Sequence, residues 1–168
     1  MLKILIPVDG SVNSLKAVRH VANRCLSEKV MEIHLLHVCT RLPKEISRFV
    51  PQQDLDSYHR DEAETTLKSA RELLTQFGLP FAEHSKLGDK AEVINDLARS
   101  LGIDEIVIGT SHKNSFTRLI EGSLTNRLMQ ISDVPVEVIS SGEESKLEKY
   151  GLPAGLGAAL TLLFIASE

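Results

Sequence analysis

The sequence predicts an α/β fold of the doubly wound type, a three-layer arrangement in which helices cover both faces of a five-stranded parallel sheet. Three observations carry this expectation. Short apolar runs recur along the chain, as expected for strands buried on both faces. Between them lie stretches whose apolar residues return at helical spacing. The two kinds of segment alternate throughout as βαβαβαβαβ, an order that demands parallel strands joined by right-handed crossovers. A length of 168 residues, with 42% hydrophobic and 25% charged side chains, suits one globular domain.

Leu2–Val8 is apolar apart from one lysine and predicts a central strand. Asp9-Gly10-Ser11 closes it with turn chemistry, and Ser11 suits the N-cap of a helix. Leu15, Val18, Val21, Ala22 and Cys25 then mark that helix to about Ser27. Met31–Val38 predicts the second strand, and residues 41–54, with Pro43 and Pro51, an irregular connection. Leu55–Phe77 predicts a long amphipathic helix stopped by Gly78 and Pro80. Phe81–Leu87 is a weaker third strand, and Gly88-Asp89 opens a helix bearing Ala91, Ile94, Leu97 and Ala98. Glu105–Ile108, a helix over Ser123–Ile131, and strand Val136–Ile139 after Pro135 complete the order.

The stretch from Gly109 to Thr125 stands out, because it is a polar loop between a strand and a helix start, with glycine at Gly109 and Gly122. A helix N-terminus offers unpaired N–H donors and the positive end of its dipole, which suits an anion. Glycine lets backbone approach a phosphate that a Cβ would obstruct. In doubly wound sheets ligands sit beyond the carboxyl ends of the strands, at the point where strand order reverses. The loops after strands one and four therefore face one cleft, which makes Asp9 and Gly109 neighbours in space.

These residues resemble the universal stress protein family over roughly residues 1 to 140. The resemblance rests on Ile6-Pro7-Val8-Asp9-Gly10-Ser11, on the order of elements, and on the spacing of the glycine loop. The ATP-binding branch carries G-x2-G-x9-G-[S/T] after strand four. Gly109 matches its first glycine, residues 113–121 supply the nine-residue gap, and Gly122-Ser123 match its end, while His112 stands in place of the second glycine. That ring would either crowd the phosphate path or replace a lost backbone contact with a donor.

The resemblance implies strand order 3-2-1-4-5, an adenine nucleotide alpha hydrolase-like fold, and ATP in the cleft. It places Asp9 at the ribose and the main chain of Val38 at the adenine. Gly109, Gly122, Ser123 and Thr125 would hold the phosphates, with Mg²⁺ as their counter-ion. Pro7, Val8, Ile108, Thr110, His112, Lys113 and Leu124 join them as nucleotide-binding positions. It also implies a homodimer formed near the last strand, where pairing Val136–Ile139 with a second copy would hide an apolar edge.

Several other chemistries find little support. A formal net charge of −4, with no Trp, two Tyr and five Phe, leaves neither an electrostatic footprint nor stacking platforms for nucleic acid. Cys25 and Cys39 form no CxxC and no zinc spacing; Cys25 falls on the apolar face of the first helix, and both suit a reduced compartment. His34 and His37, three residues apart in a strand, point to opposite faces and do not make a metal pair. No serine, cysteine or histidine lies in a recognisable nucleophile–base motif, so any hydrolysis of ATP is expected to be slow. The N-terminal segment does not read as a signal peptide, which makes the cytoplasm the expected location.

The expected division is a domain over residues 1–141 and a tail over 142–168. The tail comprises a polar linker and an uncharged run over residues 151–166. That run is short for a membrane span. Packing on its own domain or a partner subunit, a disordered extension, and membrane attachment are its three readings. Two functions from different classes stand. One is a cytoplasmic stress-response module that binds ATP and signals through binding and dimerisation. The other is a nucleotide-independent dimer with a degenerate cleft; a slow ATP hydrolase is a third alternative.

Overall fold

The computed structural model describes residues 1–27, 31–41, 48–110 and 124–140. The chain runs β1 (Leu2–Pro7), α1 (Val12–Ser27), β2 (Met31–Cys39), α2 (Gln52–Gln76), β3 (Phe81–Leu87), α3 (Lys90–Leu101), β4 (Glu105–Thr110), α4 (Leu124–Ile131) and β5 (Val136–Ser140). All four strand pairings are parallel. The sheet order is β3-β2-β1-β4-β5, so the order reverses between β1 and β4. The predicted fold class and strand order both hold. The residues at 111–123, with His112, Lys113, Gly122 and Ser123, lie outside the described residues, as does the tail over 142–168.

Burial on both sheet faces explains why the central strands are apolar throughout. On one face Ile4, Ile6, Ile33, Leu35 and Val107 pack against Ala17, Val18 and Val21 of α1 and Leu67, Ala70 and Leu74 of α2. On the other, Leu5, Leu36, Ile106 and Ile108 meet Ala91, Ile94, Leu97 and Ala98 of α3 and Leu128 of α4. Alternate residues of each strand thus feed two separate cores, as the two-residue period requires. Arg24 of α1 bridges Glu105 of β4 at 3.0 Å and Glu137 of β5 at 2.8 Å, tying that helix across the last two strands.

The helix starts obey capping chemistry. The Ser11 hydroxyl accepts the Ser14 N–H at 3.1 Å, and the Ser11 carbonyl accepts from Leu15 at 3.1 Å. Ser11→Ala should therefore cost about 1 kcal/mol of stability, read by denaturant unfolding. At α3, the Asp89 carboxylate accepts from the N–H groups of Ala91 at 3.1 Å and Glu92 at 3.3 Å. Helix α2 begins at Gln52, three residues before the expected Leu55. Pro51 is its N-cap residue, and its carbonyl accepts from Asp54 and Leu55. A proline just ahead of a helix forfeits no helical hydrogen bond, so Pro51 starts the helix where it was expected to sit in a loop.

Candidate cleft at the carboxyl ends of β1, β2 and β4

At the reversal of strand order, the carboxyl ends of β1 and β4 part and leave a cleft. Pro7, Val8, Asp9, Ser14, Leu36, His37, Val38, Lys90, Ile94, Ile108, Gly109 and Leu124 line it. Val8, Leu36, Val38, Ile94 and Ile108 are buried and apolar. Leu36, Val38, Ile94 and Ile108 share one sheet face and form a wall suited to a flat hydrophobic ring, while Asp9 and Lys90 supply charge of both signs at its rim. A mostly apolar concavity with a few convergent polar groups is the usual form of a small-molecule site.

Asp9 is placed by a tight turn. Gly10 has φ +77°, a left-handed conformation that favours glycine. This turn brings the Ser11 N–H within 3.0 Å of the Asp9 carboxylate. Burial pushes the Asp9 carboxyl up, but hydrogen bonds from Ser11 and Ser14 and the Lys90 charge outweigh it. The group lies below the ordinary carboxylate value and is ionised at neutral pH. An exposed, ionised carboxylate held by the backbone at the mouth of a cleft is a ready acceptor for hydroxyl donors.

Gly109 sits at the opposite lip, inside β4 rather than beyond it, since the strand runs two residues past the expected Ile108. A Cβ placed there would meet the carbonyl oxygen of Asn13 at 2.0 Å and the Ser14 nitrogen at 2.9 Å. Glycine is thus required where β4 crosses the first turn of α1, a close approach of backbone to backbone.

Helix α4 is held at the far side of the cleft. Arg127 pairs with Asp89 at 2.8 Å, so the residue that caps α3 also anchors α4. The Arg127 side chain, assisted by backbone N–H bonds, holds the Asp89 carboxyl below its usual range, and Arg71 does the same for Glu64. A carboxyl depressed in the folded state contributes stability above its unfolded pKa, and that contribution is lost as pH falls through the folded value. Thermal stability should therefore fall as pH drops below about 4. Asp89→Asn should flatten this acid limb, as followed by melting temperature against pH.

Of the expected site residues, Pro7, Val8, Asp9, Val38, Ile108, Gly109 and Leu124 line one cleft. Thr110 and Thr125 are not among its lining residues; Thr110 pairs in register with Ser140 of β5. Sequence reasoning missed Ser14, Leu36, His37, Lys90 and Ile94. Leu36 and His37 were detectable as neighbours of Val38 at the end of β2. Lys90 and Ile94 come from α3, whose start reaches the cleft only through packing. His34 and His37 do lie on opposite faces. His34 contacts His84 and Glu32, each at 3.0 Å, whereas His37 faces Val8 and Glu62 of α2.

Comparison with known proteins agrees with this architecture. The profile of the Universal stress protein family matches residues 1–140. Universal stress protein G of Shigella flexneri is 30% identical over 146 residues, spanning 81% of this chain and 96% of its own. Among solved structures, the universal stress protein from Archaeoglobus fulgidus in complex with dAMP superposes with a TM-score of 0.59 at 20% identity, covering 83% of this chain and 98% of its own. A family protein from Arabidopsis thaliana with AMP bound gives a TM-score of 0.57 at 17% identity, covering 83% and 92%.

Proposed function

The chain belongs to the universal stress protein family, and on that premise we propose that it binds an adenine nucleotide in the cleft between β1 and β4. The nucleotide is ATP with Mg²⁺, and the protein acts as a cytoplasmic stress-response module that signals through binding and dimerisation. The observation that carries this reading is the convergence of an ionised Asp9, the apolar wall of Leu36, Val38 and Ile108, and the start of α4 at the reversal of strand order.

Each part of the nucleotide has a fitting surface. The Asp9 carboxylate suits the ribose hydroxyls. The ends of β1 and β2 offer an apolar slot for adenine, with main-chain groups of Val8 and Val38 beside it. The phosphates run toward Leu124 and the amino end of α4, where helix N–H groups favour negative charge. Mg²⁺ travels with the phosphates and neutralises them. The AMP and dAMP held by the Arabidopsis and Archaeoglobus proteins, which share this fold, support the choice of an adenine nucleotide. Dimerisation through β5 would cover the half-buried Val136, Val138 and Ile139 at the sheet edge.

Isothermal titration with Mg-ATP tests the reading. Saturable heat with a rise in melting temperature is expected, since a ligand at 100 times its Kd adds about 2.7 kcal/mol of stability. No heat and no thermal shift at millimolar nucleotide would overturn it in favour of a nucleotide-independent module. Phosphate release should stay below about 1 s⁻¹. Sedimentation at micromolar protein should give twice the chain mass; a monomer would remove β5 as a dimer edge.

A further inference from the structure

A second constellation lies on the other side of β2 from the Val38 wall. Residues 37 and 39 of a strand point to the same face, and here that face meets α2. His37, Cys39 and Glu62 each present one ligand atom there, all within 4.8 Å of one another. His37 and Cys39 are buried, at 6% and 1% exposure. The Glu62 side chain remains about one-third exposed, at 34%, and gives the cluster a route to solvent.

The tautomer of His37 is fixed by its surroundings. Its Nδ1 lies 3.1 Å from the Val8 carbonyl oxygen, which can only accept, so Nδ1 carries the hydrogen. In the neutral ring Nε2 then presents a lone pair. This buried nitrogen has no hydrogen-bond partner and faces a Glu62 oxygen at 3.7 Å. A lone pair turned toward a carboxylate is unfavourable unless a positive charge, a proton or a metal ion, lies between them. A ring N–H bonded to a backbone carbonyl, with the other nitrogen free, is how metal-binding histidines are oriented.

The geometry points to a divalent transition-metal site, of the class filled by Zn²⁺, built from His37 Nε2, Cys39 Sγ and the Glu62 carboxylate. A mixed N, S and O donor set suits Zn²⁺. Bonds of about 2.0–2.3 Å in a tetrahedron separate ligand atoms by roughly 3.3–3.8 Å. The 3.7 Å from His37 to Glu62 already fits, and the separations from Cys39, within 4.8 Å, close by up to about 1 Å when an ion binds. His59 stands one helical turn before Glu62, and its buried Nδ1, which makes no hydrogen bond, lies 3.7 Å from the other Glu62 oxygen. Cation binding displaces the Cys39 thiol proton to solvent. The bound ion ties α2 to the end of β2 that borders the cleft, through a site that needs no nucleotide.

The test uses full-length, tag-free and nucleotide-free protein. Zn²⁺ titrated against a chelating dye should bind at about one ion per chain. Co²⁺ in its place should give the visible bands of a tetrahedral centre and a thiolate-to-metal charge-transfer band. Cys39→Ser should abolish the charge-transfer band, and Glu62→Gln should weaken binding at least about tenfold. Cys25→Ser, whose native thiol packs on Met31 at 3.3 Å, should leave both readouts unchanged. Glu62 is partly exposed, so its variant keeps the fold and the test decisive. Absence of stoichiometric binding, Zn²⁺ affinity unmoved by Glu62→Gln, or a charge-transfer band that survives Cys39→Ser would overturn the site.

Discussion

Gly109→Ala should destabilise the protein by about 3 kcal/mol or more, at the upper end of what overpacking a rigid interior costs. The added methyl carbon would lie 2.0 Å from the Asn13 carbonyl oxygen and 2.4 Å from its carbon, and neither is the end of a flexible side chain. Both belong to the first turn of α1, held by the Ser11 cap, so relief requires moving a helix against a central strand. For a chain of this size the melting temperature should fall by about 6–12 °C. Differential scanning calorimetry checks it. A melting temperature within about 2 °C of the parent would mean that β4 and α1 do not approach as closely as described. The substitution also displaces Asp9 relative to Gly109, so lost nucleotide binding in this variant is read as a packing effect.

Asp9→Ala isolates binding from packing. Asp9 is exposed and its hydrogen bond to Ser11 is local, so removing it should leave the fold intact. A hydrogen bond to a charged group contributes about 1.5–3 kcal/mol. Loss of the proposed ribose contact should therefore weaken ATP binding by about 10–100-fold. Calorimetric titration of the variant beside the parent measures it. A 2′-deoxy nucleotide should lose less on the same substitution, because it has already lost one hydroxyl partner. Unchanged ATP affinity in Asp9→Ala would remove Asp9 from the ribose contact and turn the orientation of the ligand around.

Much of this arrangement is legible in the sequence because it depends on local order. The apolar run ending at Pro7-Val8, the turn at Asp9-Gly10 and the cap at Ser11 are each set by a few adjacent residues. The reversal of strand order, expected of a doubly wound sheet, then sets the end of β1 at Asp9 beside the end of β4 at Gly109. What escaped depends on contacts between distant segments. Gly109 read as a loop residue poised for a phosphate, yet it belongs to β4, and its lack of a Cβ is explained by Asn13, nearly a hundred positions earlier. No local pattern reveals a backbone crossing of that kind.

The same holds for His37, Cys39 and Glu62. The two-residue period puts the first two on one face, but only the packing of α2 adds the third. Pro51 shows the opposite failure, where a strong local signal was read in one sense only. A proline that breaks a helix from within begins one from outside, and α2 gains its first three residues accordingly.

The reversal of strand order between β1 and β4 is the proposed seat of an adenine nucleotide. Backbone amide NMR of the labelled protein during titration with Mg-ATP tests it most directly. Saturable shifts at Val8, Asp9, Val38, Gly109 and Leu124, with the amides of Glu64 and Glu83 on the α2–β3 surface unmoved, are the predicted result. No saturable shift at these five positions, or shifts centred on the groove around His59, Glu64 and Glu83, would contradict it.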